Sequence, residues 1–247
     1  MRPIAGVDGC KAGWIAVWSI DDANLDTAVF NSFAGLLSFL PGDAIVAVDM
    51  PIGLPDVISG GGRGPEQIVR TFLGPRRSSV FAIPSRAAVH AEPGPFEDWP
   101  AMRAARRRAD AVARETSTPP HGLAFQSFML FPRIREIDAL LRAEPRLAGR
   151  VIESHPEAAF AILNGKTAMG WPKTSAPGAA ERRVLLAANG LPGEFLLRSP
   201  PKGAGTDDFL DACVLNLVAG RRARGAAIAH SSPPGCDAFG LPIAIWT

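Results

Sequence analysis

The chain has 247 residues, and its 26 basic and 24 acidic side chains give a net charge of +2, so global charge names no binding partner. Hydrophobic residues make up 47% and charged residues 20%, which is typical of a globular protein and excludes a disordered tail, a coiled coil or a highly charged nucleic-acid carrier. Gly occurs 25 times and Pro 23 times without a Gly-X-Y period, which predicts many turns and long loops.

No segment reaches the roughly 18 consecutive apolar residues of a membrane span. Asp8 and Lys11 interrupt the apolar start of the chain before a signal peptide could form. The cysteines, Cys10, Cys213 and Cys236, are odd in number and form no C-x-x-C pair, so reduced thiols are expected. We therefore expect a cytoplasmic protein with no membrane partner.

The beginning of the chain alternates short β-rich runs with turn residues. Runs over residues 4–8, 14–19 and 27–31 are joined by short connections, which favours antiparallel hairpins. Ser32 is a suitable N-cap for a helix over residues 33–40, and the apolar run over residues 44–49 is typical of a strand buried on both faces. The predicted order is β-β-β-α-β.

Pro and Gly are concentrated between residues 50 and 65, which predicts a long loop after the fourth strand. Beyond it we expect an extended segment over residues 79–83 and a short strand over residues 151–153. The predicted helices cover residues 66–73, 99–115, 127–143, 157–163, 179–189 and 207–224. We predict a single domain over residues 1–247, with a largely helical insertion at approximately 56–148.

Acidic residues lie at the ends of several predicted elements. Asp8 ends the first strand and Asp49 the fourth, and the β-β-β-α-β order places these strands side by side, so both carboxylates meet at one edge of the sheet. Glu153 ends the late strand. Asp208 and Asp211 are three residues apart, so they share a face of the last helix. The apolar stripe of this helix is expected to pack against the sheet.

Clustered buried carboxylates repel each other and require a cation. Oxygen ligands suit Mg²⁺ or Mn²⁺, and two such ions about 3.5–4 Å apart bind a phosphodiester, activate a water and stabilise the departing oxygen. The expected metal ligands are Asp8, Asp49, Asp208 and Asp211. Glu153 is a further candidate ligand, and His155 is a candidate to orient a water or transfer a proton. The candidate catalytic residues are Asp8, Asp49, Asp208, Asp211, Glu153 and His155.

Each acid also has a structural explanation. Asp8 before Gly9 suits a hairpin turn, Asp49 before Met-Pro can simply start a loop, and Asp207 or Asp208 can cap the last helix. Taken singly, these explanations are as good as the functional one, but they do not explain why the acids end neighbouring elements of one sheet. Which of Asp207 and Asp208 is a ligand stays open.

Basic side chains near the predicted site are candidates to bind phosphates. Arg76 and Arg77 lie in a loop and are better candidates than the arginines of the helix over residues 99–115, for which a solvated face is the favoured explanation. The candidate substrate-binding residues are Lys11, Arg63, Arg70, Arg76, Arg77 and Arg86.

The acidic motifs resemble those of the RNase H-like superfamily, particularly the D-x-x-D-A helix of Holliday-junction resolvases, present here at residues 208–212. A closer resemblance is to the bacterial and archaeal family filed as domain of unknown function 429, described as predicted RNase H-like nucleases. It extends over nearly the full chain and is carried by residues 6–14, 48–55, 79–86, 153–157, 173–182 and 207–212.

The resemblance implies an α/β fold with an RNase H-like mixed five-stranded sheet, in which three antiparallel strands are followed by parallel strands and helices flank the sheet. It also implies a metal-dependent nuclease that hydrolyses phosphodiester bonds of DNA or RNA. One departure lies at residues 63–70, where the family shows Arg-x-Cys-Asp-x-x-Ala-Arg: here Pro65 replaces the Cys and Glu66 replaces the Asp, while Arg63 and Arg70 remain.

Two other functions are alternatives for this sequence. A phosphotransferase of the actin-like ATPase superfamily shares the same core, but no second Asp-Gly-Gly phosphate loop follows a strand in this sequence. A non-catalytic nucleic-acid-binding or protein-binding module of the same fold would bind without turnover and without a metal.

Overall fold

The computed structural model describes residues 2–21 and 24–247, apart from the side chains of residues 232–234. Its strands are β1 (Ile4–Cys10), β2 (Gly13–Ser19), β3 (Leu25–Phe30), β4 (Ile45–Val48), β5 (Ile58–Ser59), β6 (Ser117–Thr118), β7 (Val151–Glu153), β8 (Ala229–Cys236) and β9 (Pro242–Trp246). The helices are α1 (Phe33–Phe39), α2 (Gly64–Phe72), α3 (Arg86–His90), α4 (Trp99–Glu115), α5 (Phe125–Ala143), α6 (Pro156–Leu163), α7 (Ala176–Ala188), α8 (Gly193–Leu196) and α9 (Thr206–Ala223).

The central sheet has five strands in the order β3-β2-β1-β4-β7. β1 pairs antiparallel with β2, and β2 with β3, whereas β4 runs parallel to both β1 and β7. This confirms the expected α/β class with a mixed sheet flanked by helices. The predicted pairing of the first and fourth strands is also confirmed, and the Ser32 hydroxyl caps α1 by accepting from the Gly35 N–H.

Successive residues of β2 face opposite sides of the sheet and enter two different apolar cores. Trp14 and Trp18 pack with α1 and α5 on one side, whereas Ile15 and Val17 pack with α9 on the other. Burial on both sides explains why the strand is almost uniformly apolar.

α9 lies directly against β1, because Gly6 removes the side chain that would separate them. A Cβ built on Gly6 would lie 2.0 Å from the backbone N of Asn216 and 2.2 Å from the carbonyl oxygen of Ala212. Both contacts are with backbone of α9, which cannot move aside as a flexible side chain can. The close approach therefore fixes the distance between this helix and the sheet.

Two sequence expectations close to the acidic residues differ from the structure. β1 continues to Cys10, two residues beyond its predicted end at Asp8, because Gly9 and Cys10 still pair with β2. Residues 79–83 form no strand: Ser79 ends a 3-10 helix, and side chains bind the carbonyl oxygens that a neighbouring strand would use. Arg70 donates to the Val80 carbonyl and Ser127 to that of Ala82.

A hairpin of β8 and β9, absent from the sequence predictions, lies beside the end of β7. Ser154 forms a parallel bridge with Trp246 and donates its hydroxyl to the Trp246 carbonyl at 2.6 Å. Asp237, between the two strands, accepts the N–H of Leu54 at 3.0 Å and a bond from Arg86. The hairpin thus holds the loop that follows β4. No helix in the described part of the chain combines the length and apolar character required to cross a membrane.

We predict that Gly6→Ala destabilises the protein by about 3 kcal/mol, because overpacking against a fixed backbone forces strand and helix apart. Urea denaturation followed by circular dichroism measures the change. Gly42→Ala is the matched control, since a Cβ there meets nothing within 4 Å. Equal stability of the two variants would contradict the close contact between α9 and β1.

Candidate active site

Asp8 and Asp49 lie side by side where the parallel pairing of β1 and β4 ends. The last residue pair is Val7 with Val48, and the Asp49 N–H continues the ladder by donating to the Val7 carbonyl at 2.9 Å. Asp49 therefore directly follows β4, as expected, while Asp8 lies within β1. The two carboxylates lie at one edge of the sheet.

Asp211 of α9 joins them from the helix layer. Lys173 donates from Nζ to Oδ2 of Asp211 at 2.6 Å, and its Nζ lies 4.0 Å from Oδ2 of Asp207. The other oxygen of Asp211, Oδ1, is buried and has no hydrogen-bond partner in the structure. Since the side chain is only 1% exposed, this oxygen lacks both water and a protein donor.

The three carboxylates are held in an environment that disfavours their charge. Burial raises the pKa of Asp8 well above its usual range, and the carboxylates of Asp49 and Asp211 raise it further. Burial also raises the pKa of Asp49, and it raises that of Asp211 to about 7 even though Lys173 opposes the shift. Strongly shifted groups in a cavity are candidates for function.

Lys173 is the cation that the cluster already contains. Burial lowers its pKa, but the carboxylates of Asp211, Asp8 and Asp49 raise it by more, so its ammonium stays charged. One positive charge offsets only part of the charge of three carboxylates. The cluster therefore keeps an attraction for a further cation.

The donor set suits Mg²⁺ or Mn²⁺ in its chemistry. It consists of carboxylate oxygens, and Oδ1 of Asp211 is buried without a partner, as a coordinating atom would be in the absence of its ion. Within residues 2–21 and 24–247, however, no group of three or more His, Cys, Asp or Glu side chains is already arranged to hold a metal. A bound ion would thus require these side chains to move closer together.

Asp207 and Asp208 lie outside the cavity that contains the other acids. Asp208 accepts the N–H of Gly205 at 2.8 Å, as an acid at the third position of a helix does in capping its first turn. Its remaining influence is electrostatic, since it makes a small contribution to the raised pKa of Asp8. Asp207 faces Lys173. The structure thus gives Asp208 a capping role that the sequence had left open.

Glu153 ends β7 beside the cavity, but both of its carboxylate oxygens have partners. Oε1 accepts from Arg63 at 2.5 Å and Oε2 accepts the Ile52 N–H at 2.7 Å. Burial raises its pKa to about 7, and Arg63 limits the shift. The geometry therefore supports a role in holding the loop after β4 rather than in binding a metal.

Arg63 completes this buried network. Its Nε donates to Glu66 at 2.7 Å, and its Nη1 donates to the carbonyl oxygens of Ile52 and Gly53 at 2.7 and 2.9 Å. The Glu at position 66, which departs from the family pattern, thus keeps a carboxylate paired with Arg63. Through Arg63, the segment over residues 63–70 is hydrogen-bonded to Glu153 and to the loop after β4.

The structure shows the surroundings of each residue that the sequence predicted to bind phosphate. Arg63 donates to the carboxylates of Glu66 and Glu153. Arg70 donates to the carbonyl oxygens of Val80 and Gly61. Arg86 donates to the carboxylates of Asp138 and Asp237. These bonds use the donors that a phosphate would need. Lys11 and Arg77 are exposed and do not line the cavity. Arg76 lines the cavity and is partly exposed, and its Nε and one Nη donate to the carbonyl oxygens of Met169 and Gly170.

The acids line one side of a cavity of about 410 Å³. Two of the cationic residues that line it, Arg133 and Lys173, were not predicted from the sequence as site residues, whereas Glu157 was an alternative to Glu153 and His155 as the functional group of its segment. Arg133 belongs to α5 and donates to the Cys10 carbonyl at 2.6 Å, while Glu157 pairs with the buried Arg182. His155 lines the cavity as well. Its Nε2 lies 3.3 Å from the Ser79 carbonyl oxygen, and its Nδ1 is buried without a partner.

We predict that Arg63→Met destabilises the protein by about 3–5 kcal/mol, because it leaves Glu66 and Glu153 buried without their cation. Chemical denaturation at neutral pH measures the loss. Arg77→Met is the matched control, since Arg77 is exposed and its removal should change the free energy of unfolding by no more than about 0.5 kcal/mol. An Arg63 variant as stable as this control would refute the structural role.

Comparison with known proteins gave one family. Residues 6–235 match the profile of the family described as protein of unknown function (DUF429). No curated protein and no solved structure matched the chain. The matched segment includes Asp8 of β1, the loop after Asp49, and α9 with Asp211. Because the match covers most of the chain, the protein belongs to the DUF429 family.

Proposed function

We propose that the protein is a metal-dependent nuclease that hydrolyses phosphodiester bonds of DNA or RNA. The observation that carries this proposal is the convergence of Asp8, Asp49 and Asp211 in one cavity, with an unpartnered buried oxygen on Asp211. Buried carboxylates without enough partners destabilise a fold, so their presence in a cavity favours a functional explanation.

Asp8, Asp49 and Asp211 are the residues that would hold Mg²⁺ or Mn²⁺. Bound there, singly or as the pair that the sequence suggested, such an ion would supply Lewis-acid stabilisation of the phosphodiester and lower the pKa of a nucleophilic water. Glu153 is left out of this ligand set because both of its oxygens accept hydrogen bonds, from Arg63 and Ile52. Asp208 is left out because it caps α9 and does not line the cavity.

Cationic side chains of the same cavity would bind the substrate. Arg76 and Arg133 are positioned to attract a phosphate towards the acids, since both line the cavity and both are partly exposed. The charge of Lys173 holds Asp211 in place when no other cation is bound. It also limits the repulsion that an approaching phosphate would meet.

His155 has the geometry of a proton acceptor. Its Nε2 faces the Ser79 carbonyl oxygen, which can only accept, so the neutral ring carries its proton on Nε2 and leaves a lone pair on Nδ1. Nδ1 has no partner in the structure. In the proposed reaction this atom orients the attacking water or accepts its proton. A cytoplasmic location is part of the proposal and is supported by the three free cysteines.

We predict that Asp8→Asn abolishes Mg²⁺- or Mn²⁺-dependent cleavage and yet raises the Tm measured in EDTA. Removing the charge relieves repulsion, and the amide oxygen can still accept the Gly9 N–H that Asp8 accepts at 2.7 Å. Each kcal/mol gained corresponds to about 2–4 °C for a chain of this size. Differential scanning fluorimetry and a nuclease assay provide the measurements.

Asp43→Asn is the control for this variant, because Asp43 is exposed and lies before β4, away from the cavity. It should leave both Tm and activity unchanged. Cleavage that persists in Asp8→Asn would refute the assigned chemistry. Calorimetric binding of ATP with hydrolysis of its terminal phosphate would instead support the phosphotransferase.

We predict that Lys173→Met lowers the free energy of unfolding in EDTA by about 1–3 kcal/mol at pH 8, because Asp211 loses its only hydrogen-bonding partner in the described structure. Saturating Mn²⁺ should restore most of the loss, since the ion replaces the missing charge. Lys11→Met is the control, because Lys11 is exposed. A Lys173 variant that Mn²⁺ stabilises no more than the wild type would argue against metal binding at Asp211.

A further inference from the structure

The cavity is closed on one side by the insertion between β4 and β7. This side, which we call the insertion wall, consists of the lining residues Pro75, Arg76, Ser78, Ser79, Val80, Phe81 and Ile83 together with Leu130 and Arg133 of α5. Asp8, Asp49 and Asp211 line the same cavity. The acids therefore share their cavity with this wall of protein, whereas an enzyme that cuts intact duplex needs an open surface around its carboxylates.

Hydrogen bonds join the insertion wall to segments outside the insertion. Arg76 donates to the carbonyl oxygens of Met169 and Gly170 at 3.3 and 3.2 Å, in the segment that leads to Lys173. Arg133 donates to the Cys10 carbonyl at the end of β1. These bonds connect residues 75–83 and α5 to the rest of the fold, so the insertion wall has a fixed position beside the acids.

Gly9 makes the Arg133 contact possible. A Cβ on Gly9 would lie 2.9 Å from Nε and 3.0 Å from Cδ of Arg133, so the absent side chain lets the guanidinium lie over the strand next to Asp8. The bond to Cys10 uses one Nη of Arg133. Because Gly9 and Asp8 are successive residues of β1, Arg133 packs over the opposite face of the strand from the Asp8 side chain, and both residues line the cavity.

The size and lining of the cavity fit one nucleotide. Its volume of about 410 Å³ lies within the range of about 300–1,000 Å³ that is typical of small-molecule pockets. Met50, Phe81 and Leu130 give it an apolar side, and bases stack on aromatic rings of this kind. Enzymes whose target must enter such a pocket act on single strands or extrude the nucleotide from the duplex.

We propose that the site accepts one unpaired nucleotide of a single-stranded nucleic acid, with its base against Phe81 and Leu130 and its phosphate between Arg133, Arg76 and the acids. This inference rests on the proposed nuclease function and names its substrate class. Intact duplex is excluded by the insertion wall, so paired DNA or RNA becomes a substrate only where its end frays.

Fluorescence anisotropy with the full-length Asp8→Asn variant tests the proposal by binding alone. The probes are a labelled oligodeoxynucleotide and the same sequence within a blunt duplex, each measured with Ca²⁺ and with EDTA. We expect the single strand to bind at least about tenfold more tightly than the duplex, since one base stacked on an aromatic side chain contributes about 1–3 kcal/mol. Equal affinity for both probes overturns the inference.

Phe81→Leu in the same background separates stacking from general attraction. It keeps an apolar side chain, and so the fold, but removes the aromatic face; we expect about fivefold or greater weakening for the single strand and no change for the duplex. Phe39→Leu is the matched control, because Phe39 is 54% exposed on α1. Unchanged single-strand binding in Phe81→Leu also overturns the inference.

Cleavage by the wild type distinguishes this inference from the function on which it rests. With Mn²⁺, degradation of single strand but not of blunt duplex supports both. Equal degradation of both probes overturns the substrate class and leaves the nuclease function standing. Single-strand binding without cleavage of either probe overturns the nuclease function and keeps the binding site for an unpaired nucleotide.

Discussion

The contact between the backbones of β1 and α9 is the constraint on which the site depends. It exists because Gly6 has no side chain, and it fixes the helix against the strand through Ala212 and Asn216. Asp8 lies two residues beyond Gly6, and Asp211 directly precedes Ala212. The same close packing that stabilises the core therefore brings two carboxylates together and withdraws both from water.

Charge in this site is balanced only in part, and the imbalance separates supporting residues from reactive ones. Glu153 and Glu66 share the guanidinium of Arg63, so their charges are matched within the protein. Asp8, Asp49 and Asp211 share a single ammonium group, that of Lys173. Both sets of acids line the same cavity. Only the set of Asp8, Asp49 and Asp211 has more negative charge than its cation offsets, so only this set attracts a further cation.

The adjacency of Asp8 and Asp49 could be predicted from the sequence, because strand order and parallel register follow from local patterns. The place of Asp211 on the buried face of α9 followed from helical periodicity. Lys173 and Arg133 could not be placed in this way: Lys173 lies in an irregular segment, and Arg133 reaches Cys10 across 123 residues. The sequence predicted that Arg63 binds phosphate. It could not show that this guanidinium is buried, because the burial depends on contacts with residues far along the chain, such as Glu153.

The bond from Leu54 to Asp237 joins positions 183 residues apart. During synthesis, β1 with Asp8 and β4 with the adjoining Asp49 emerge before α9 and before the β8–β9 hairpin. Contacts of such long range form late, because loop closure must precede them. A nascent chain therefore first carries Asp8 and Asp49 without α9, without Lys173 and without a fixed loop after β4, so the site is assembled only after the β8–β9 hairpin has emerged.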